Sequence, residues 1–343
     1  MLTERQRLIL WAVIDDYIVS AEPVGSRTVS RKKGVGFSAA TIRNEMADLE
    51  EMGFLEQPHT SAGRIPSQKG YRFYVDHLLK PYMWTKEDLM ALHEYYAMKV
   101  DHLEQVIKHT NAVLSNLTNC VAFILGPKQM ESRLKHLQII PLHDHLAVSI
   151  LVTDSGHVHQ QRVTFPEGVS LSSVEKLVNL LNHRLAGVPL SKIKAVMAKE
   201  LYEELKRHVE HFEKLTTLLD RILQAEDEER VYATGATRIL EQPEFRDVHK
   251  LKALLDLIEG GGVLAQLVEP NSNGVQVRIG CENDLEAVND CSIVSAPFRI
   301  VGDVVGTIGV LGPTRMDYGR IINLIDFLSK DFSRRLSTLY ETE

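Results

Sequence analysis

Ala40, Thr41, Arg43 and Asn44 stand at the start of a segment whose other side carries Ile42, Met46 and Leu49. The apolar three recur at helical spacing, so the polar set shares the opposite face of one helix. Thr, Arg and Asn are side chains that bond phosphates and base edges, and a small residue among them lets a helix approach a groove closely. The chemistry this set can do is recognition of double-stranded DNA. Ser38, Ala40, Thr41, Arg43 and Asn44 are the candidate major-groove residues. Two acid-free basic stretches flank them. Arg27, Arg31, Lys32, Lys33 and Arg43 lie between Glu22 and Glu45, and Arg64, Lys69 and Arg72 lie between Glu56 and Asp76. Arg27, Arg31, Lys32, Lys33 and Lys69 are expected to hold phosphates. Ser61 and Arg64, on a turn-rich loop, are expected at the neighbouring minor groove. The formal net charge of the whole chain, −7, argues against nucleic acid only when the distribution is ignored. A solvated charge run is the ordinary reading of either stretch alone; two of them around one helix favour an interface.

Catalytic constellations are missing from the sequence. There is no Walker loop, dinucleotide fingerprint, nucleophile elbow or HExxH, and no enzyme activity or cofactor is expected. His143-x-His145 and His157-x-His159 each place two imidazoles at alternate positions, but no cysteine or carboxylate completes a set, so no metal is expected. Gly260-Gly261-Gly262 reads as a helix end and the carboxylates of Leu201–Arg230 as a solvated face. Cys120, Cys281 and Cys291 have neither disulfide parity nor zinc spacing, which fits a reducing, cytoplasmic setting. With no apolar run of about 18 residues, neither a membrane span nor a secretory signal is expected.

The elements that must position the DNA-facing set follow from caps and breakers. Thr3-Glu4-Arg5-Gln6 is a capping box that opens a helix over Glu4–Val19. Glu22-Pro23-Val24-Gly25 breaks it, and Ser26 caps a short helix that Gly34 ends. Ser38 caps a second helix running to Met52, closed by Gly53. Two short helices joined through a glycine-containing turn make a helix-turn-helix. Phe54-Leu55-Glu56 reads as a strand, and Pro58–Pro66 as the loop of a hairpin wing with Arg64 near its tip. Gly70–Val75 opens another helix whose aromatics belong to a core; stacking on single-stranded bases is the other role such a cluster can take. Leu79-Lys80-Pro81-Tyr82 reads as a linker and Thr85–Thr118 as one long helix, a bridge or a dimer contact. Beyond it, strands are expected at Cys120–Leu125, Leu137–Pro141, Ala147–Thr153 and Val158–Phe165, a helix over Leu171–Gln224 and another over Phe245–Glu259. Further strands follow at Val263–Val268, Val275–Ile279, Ser292–Ile300 and Val304–Leu311, and Asp317–Tyr340 is a closing helix. Strands on both sides of a helical stretch suggest one α+β sensor-like domain with a mainly helical insertion.

Several of these segments resemble a known family. Pro23-Val24-Gly25-Ser26-Arg27, Ser38–Leu49, Ser61-Ala62-Gly63-Arg64-Ile65-Pro66-Ser67 and Gly70-Tyr71-Arg72-Phe73-Tyr74-Val75 are similar to the HrcA family of bacterial heat-inducible transcription repressors. So are Thr153–Val158, Glu241-Gln242-Pro243-Glu244-Phe245 and Gly312-Pro313-Thr314-Arg315-Met316, so the likeness spans nearly the whole chain. The resemblance implies an α+β multidomain chain: an N-terminal winged helix-turn-helix at 1–80, a linker helix and first part of a GAF-like domain at 81–165, an inserted dimerisation domain at 166–243, and the rest of the GAF-like domain at 244–343. It implies a homodimer on an inverted-repeat operator, the CIRCE element, upstream of chaperone operons. It also implies modulation by the GroE-type chaperonin. A small-molecule-gated regulator using the GAF-like domain as sensor is the alternative.

Overall fold

The computed structural model describes residues 2–59, 62–97, 103–126, 133–143, 146–154, 158–165, 171–197, 222, 231–245, 247–259, 264, 267–268, 274–300 and 303–341. It divides into two compact units, Met1–Gly126 with Arg230–Glu343, and Pro127–Glu229.

The first unit opens with α1 (Glu4–Ser20). Its capping box forms as expected: Gln6 N donates to Thr3 Oγ1 at 3.2 Å and Thr3 N to Gln6 Oε1 at 3.0 Å. Ile9, Leu10, Ala12, Val13 and Ile14 are its buried face. In α2 (Ser26–Ser30) the cap is Gly25, without a side-chain bond; Ser26 is already helical and buried, a correction to its reading as the cap. The helix also stops at Ser30, before Gly34. Ser38 does cap α3 (Ala39–Glu51), accepting from Thr41 N at 3.1 Å. Phe54 N donates to Leu49 O at 2.8 Å and Gly53 N to Glu50 O at 2.9 Å, with Gly53 at φ +77°. These are the two bonds of a Schellman stop, which needs a residue free to take positive φ.

A hairpin follows: β1 (Leu55–Glu56) pairs antiparallel with β2 (Ile65–Pro66). Val24 joins its edge, exchanging both backbone hydrogen bonds with Arg64 at 2.9 Å. That approach is possible because residue 63 has no side chain; a Cβ there would lie 2.4 Å from the Val24 carbonyl oxygen. In α4 (Gln68–His77), Tyr71 and Tyr74 are buried, so its aromatics serve the core.

The expected single helix over Thr85–Thr118 is two, α5 (Lys86–Ala97) and α6 (Leu103–Thr118). The Tyr95 hydroxyl lies 3.1 Å from Thr110 Oγ1 and its ring stacks on His109 at 5.2 Å. Fifteen residues of straight helix would separate them by about 22 Å, so the chain turns back.

Five strands make an antiparallel sheet: β3 (Val121–Leu125), β7 (Val231–Thr234), β8 (Gln276–Ile279), β9 (Cys291–Ile300) and β10 (Asp303–Pro313), in the order β7-β3-β10-β9-β8. Alternation along β3 feeds two cores. Val121, Phe123 and Leu125 pack with Leu254, Leu257 and Ile258 of α9 (Val248–Glu259). Ala122 and Ile124 pack with Leu114 of α6 and with Leu324, Leu328 and Phe332 of α10 (Tyr318–Glu341). This second core continues without a break into Ile9, Leu10, Ile42 and Leu49. Leu79 packs against it and Lys80 Nζ sits 3.6 Å from the Trp11 ring centre, so the expected linker is packed chain. The expected strand over Val263–Val268 is absent at its described residues, where Leu264 is helical. β7, not anticipated, forms one edge of the sheet.

The second unit holds a sheet of its own, β4 (Leu134–His143), β5 (Leu146–Thr153) and β6 (Val158–Thr164), all antiparallel in the order β4-β5-β6. These strands were expected to extend the larger sheet; they pack instead on α7 (Leu171–Leu185), and α8 (Leu190–Val196) follows after a break at Gly187–Pro189. The Asn182 amide pairs with both backbone groups of Leu137, at 2.7 and 2.8 Å, as a neighbouring strand would. This compact unit therefore begins near 127 rather than 166, and its described residues are mixed α and β rather than mainly helical.

Candidate nucleic-acid interface

With Ile42, Met46 and Leu49 buried, α3 turns Ala40, Arg43, Asn44 and Ala47 to solvent along one face. Thr41 is half-buried, its hydroxyl 2.9 Å from Ser38 Oγ, so this pair mainly fixes the helix start. The N-terminus of a helix carries partial positive charge and suits a phosphate-rich partner. The inward side also carries Glu45, buried and paired with Arg5 of α1, whose guanidinium lies 5.8 Å from the Phe37 ring centre. This pair of a buried carboxylate and an exposed guanidinium ties α3 to α1.

The predicted cations divide into two groups. Arg27, Arg31, Lys33 and Arg43 are exposed, and among the described residues none is paired with a carboxylate. Lys32 is different. Its ammonium, 18% exposed, bonds Asp16 and, at 2.7 Å, Asp15, both on α1. Burial opposes its charge, but the hydrogen bonds it donates to the two aspartates outweigh that and hold it above the ordinary lysine value. It ties the turn after α2 to α1 and is not a free phosphate ligand. Lys69 is exposed but donates to Met52 O at 2.8 Å and lies over the Phe54 ring, closing the C-terminal end of α3. Arg64 sits at the base of the hairpin and not near its tip; its Nε and Nη2 are each 2.7 Å from Glu50 Oε2. Ser61 lies outside the described residues, as do the side chains of His143, His145, His157 and His159. Among the described residues no group of three or more His, Cys, Asp or Glu is placed to hold a metal ion.

Sequence reasoning missed the acids that claim two of these cations, and the residues that hold this region to the five-stranded sheet. Arg72 donates to Glu282 Oε1 at 2.8 Å and to Val277 O at 2.6 Å. Gln68 donates to Asn289 O at 2.9 Å and accepts from Cys281 N at 3.0 Å. Partners brought together by the fold, such as Arg72 and Glu282 across 210 residues, leave no local pattern in the sequence.

The model of the HrcA protein C-terminal domain matches residues 104–322. The heat-inducible transcription repressor HrcA of Brevibacillus brevis is 49% identical over 99% of this chain and 100% of its own length. The chain belongs to the HrcA family. The heat-inducible transcription repressors HrcA of Halalkalibacterium halodurans and Bacillus pumilus are 48% and 46% identical, each over 99% of this chain. A crystal structure described as a hypothetical protein at 2.2 Å resolution is 25% identical, with TM-score 0.68 over 99% of this chain and 100% of that one. HrcA relatives are thus repressors of transcription, a role of binding rather than bond-making. Among the described residues no helix is long and apolar enough to cross a membrane.

Proposed function

We propose that the segment α1–α4 with its hairpin is a winged helix-turn-helix that represses heat-shock genes by seating α3 in the major groove of an operator. The observation that carries this reading is the exposed Ala40–Arg43–Asn44–Ala47 face, with Arg27, Arg31 and Lys33 exposed beside it and, among the described residues, without a carboxylate partner. Arg43 and Asn44 read bases, and the free cations of α2 and its following turn hold phosphates. The five-stranded α+β layer is the GAF-like domain, and the unit around β4–β6 is the inserted dimerisation domain. The face of β5 turned away from α7 carries Val148, Ile150 and Val152, with Ile140 and Val158 exposed beside it, which supports self-association there.

A dimer presents two α3 helices to an inverted repeat, the CIRCE operator of chaperone operons. A GroE-type chaperonin raises the fraction of DNA-competent dimers in the cytoplasm, and apparent affinity follows that fraction. Anisotropy titration of the full chain, with and without chaperonin, against an inverted-repeat and a scrambled duplex tests this. Preference for the repeat, strengthened by chaperonin, is expected; equal binding to both duplexes overturns it.

A further inference from the structure

Arg64 is tied in three directions. Its guanidinium, 19% exposed, holds Glu50 in the last turn of α3 through Nε and Nη2. Its backbone exchanges two hydrogen bonds with Val24, between α1 and α2. It also leads directly into β2 and so sets the hairpin's departure. Glu50 by itself is badly placed, since a carboxylate near a helix C-terminus opposes the helix dipole and, near DNA, the phosphates. With Arg64 against it the charge is compensated. Arg27, Arg31, Lys33 and Arg43 face solvent and, among the described residues, hold no carboxylate in this way.

We propose that Arg64 is a positioning residue for operator recognition: the Arg64–Glu50 pair sets the angle between α3 and the hairpin, and Arg64 touches no nucleotide. The proposal rests on the DNA-binding reading above and sharpens it. The hairpin reaches DNA together with α3 only when that angle is held. A lysine cannot replace Arg64, because two donors of one planar fork meet the carboxylate.

The test is anisotropy titration of the full chain with inverted-repeat and scrambled duplexes over a range of salt, for wild type, Arg64→Gln, Glu50→Gln and the double variant. Each single variant is expected to lose roughly 10-fold for the repeat, about 1.4 kcal/mol. The double variant should be no weaker than either single, since both remove the same contact. The salt slope should stay at the wild-type value. If Arg64 contacts a phosphate, Arg64→Gln lowers the slope by about 0.9, and Glu50→Gln, which frees the arginine, tightens binding; either result overturns the proposal. Should Arg64→Gln fail to fold, Glu50→Gln alone decides between loss and gain. A wild-type chain with no preference for the repeat overturns the DNA reading itself, and the positioning role with it.

Discussion

Arg315 Nη1 donates to the carbonyl of Ile18 at 2.7 Å, joining the loop before α10 to the end of α1 across 297 residues. The same guanidinium holds Glu244 at 2.6 Å and Gln242 at 3.1 Å. Burial opposes its charge, yet the Glu244 hydrogen bond and field keep it above the ordinary arginine value. Together with Arg72 and Gln68 it holds the α1–α4 segment, which shares one core with the sheet, against it rather than as a tethered head.

Arg315→Ala is therefore expected to destabilise the segment and the sheet together, by about 1–3 kcal/mol, because it strips three acceptors of a charged donor. Thermal melts followed by far-ultraviolet circular dichroism and, in a Trp84→Phe background, by Trp11 fluorescence should shift down in step. A shift confined to one probe would mean that the two parts unfold independently.

Gly63→Ala places a methyl group 2.4 Å from the Val24 carbonyl oxygen, backbone that cannot swing aside. The expected cost is about 1–3 kcal/mol, with the hairpin pushed away from Val24. Lower melting temperature with weakened operator binding is the expected pair of results; an unchanged melting temperature would show that the approach is looser than described.

Lys32 and Lys33 are neighbours with opposite tasks. Lys33→Ala should lower the salt slope of DNA binding by about 0.9 and leave the melting temperature alone, as loss of one phosphate contact does. Lys32→Ala should leave Asp15 and Asp16 uncompensated, lower the melting temperature and keep the slope. The reverse assignment in salt titrations would return Lys32 to the interface.

The Arg72–Glu282 pair gives a pH dependence. Burial raises the Glu282 carboxyl, but its hydrogen bonds from Arg72 and Ile279 N prevail and hold it below the ordinary glutamate value. A depressed carboxylate contributes stability that is present above its unfolded pKa, about 4.3, and is lost as pH falls through the lower folded value. Glu282 is 40% exposed, so the contribution is small, under about 1 kcal/mol. Stability of the wild type should drop in that acid window more than that of Glu282→Gln; identical acid limbs in urea titrations would contradict the pair's role.

Local signals carried the reading of the α1–α4 segment. The Thr3–Gln6 box, the Ser38 cap, the Gly53 stop and the 42–46–49 stripe are all set by residues within a few positions of each other, and all formed. The larger sheet was legible as strands but not as a topology. β4, β5 and β6 have the same alternation whichever sheet they join, and nothing local tells that Asn182 and α7 cover them. That α5 and α6 pack against each other was hidden because helical spacing continues from one to the other. At the interface, residue types predicted the exposed face of α3 but not which cations were free, since Lys32 and Arg64 are engaged by Asp15, Asp16 and Glu50 across the fold.

The central claim is that Arg43 on the open face of α3 reads sequence. Anisotropy titration of wild type and Arg43→Ala with inverted-repeat and scrambled duplexes measures it most directly. The account predicts a loss of about 1–3 kcal/mol on the repeat and much less on the scrambled duplex, so that preference collapses. Equal loss on both would make Arg43 a phosphate contact and place the reading of bases elsewhere.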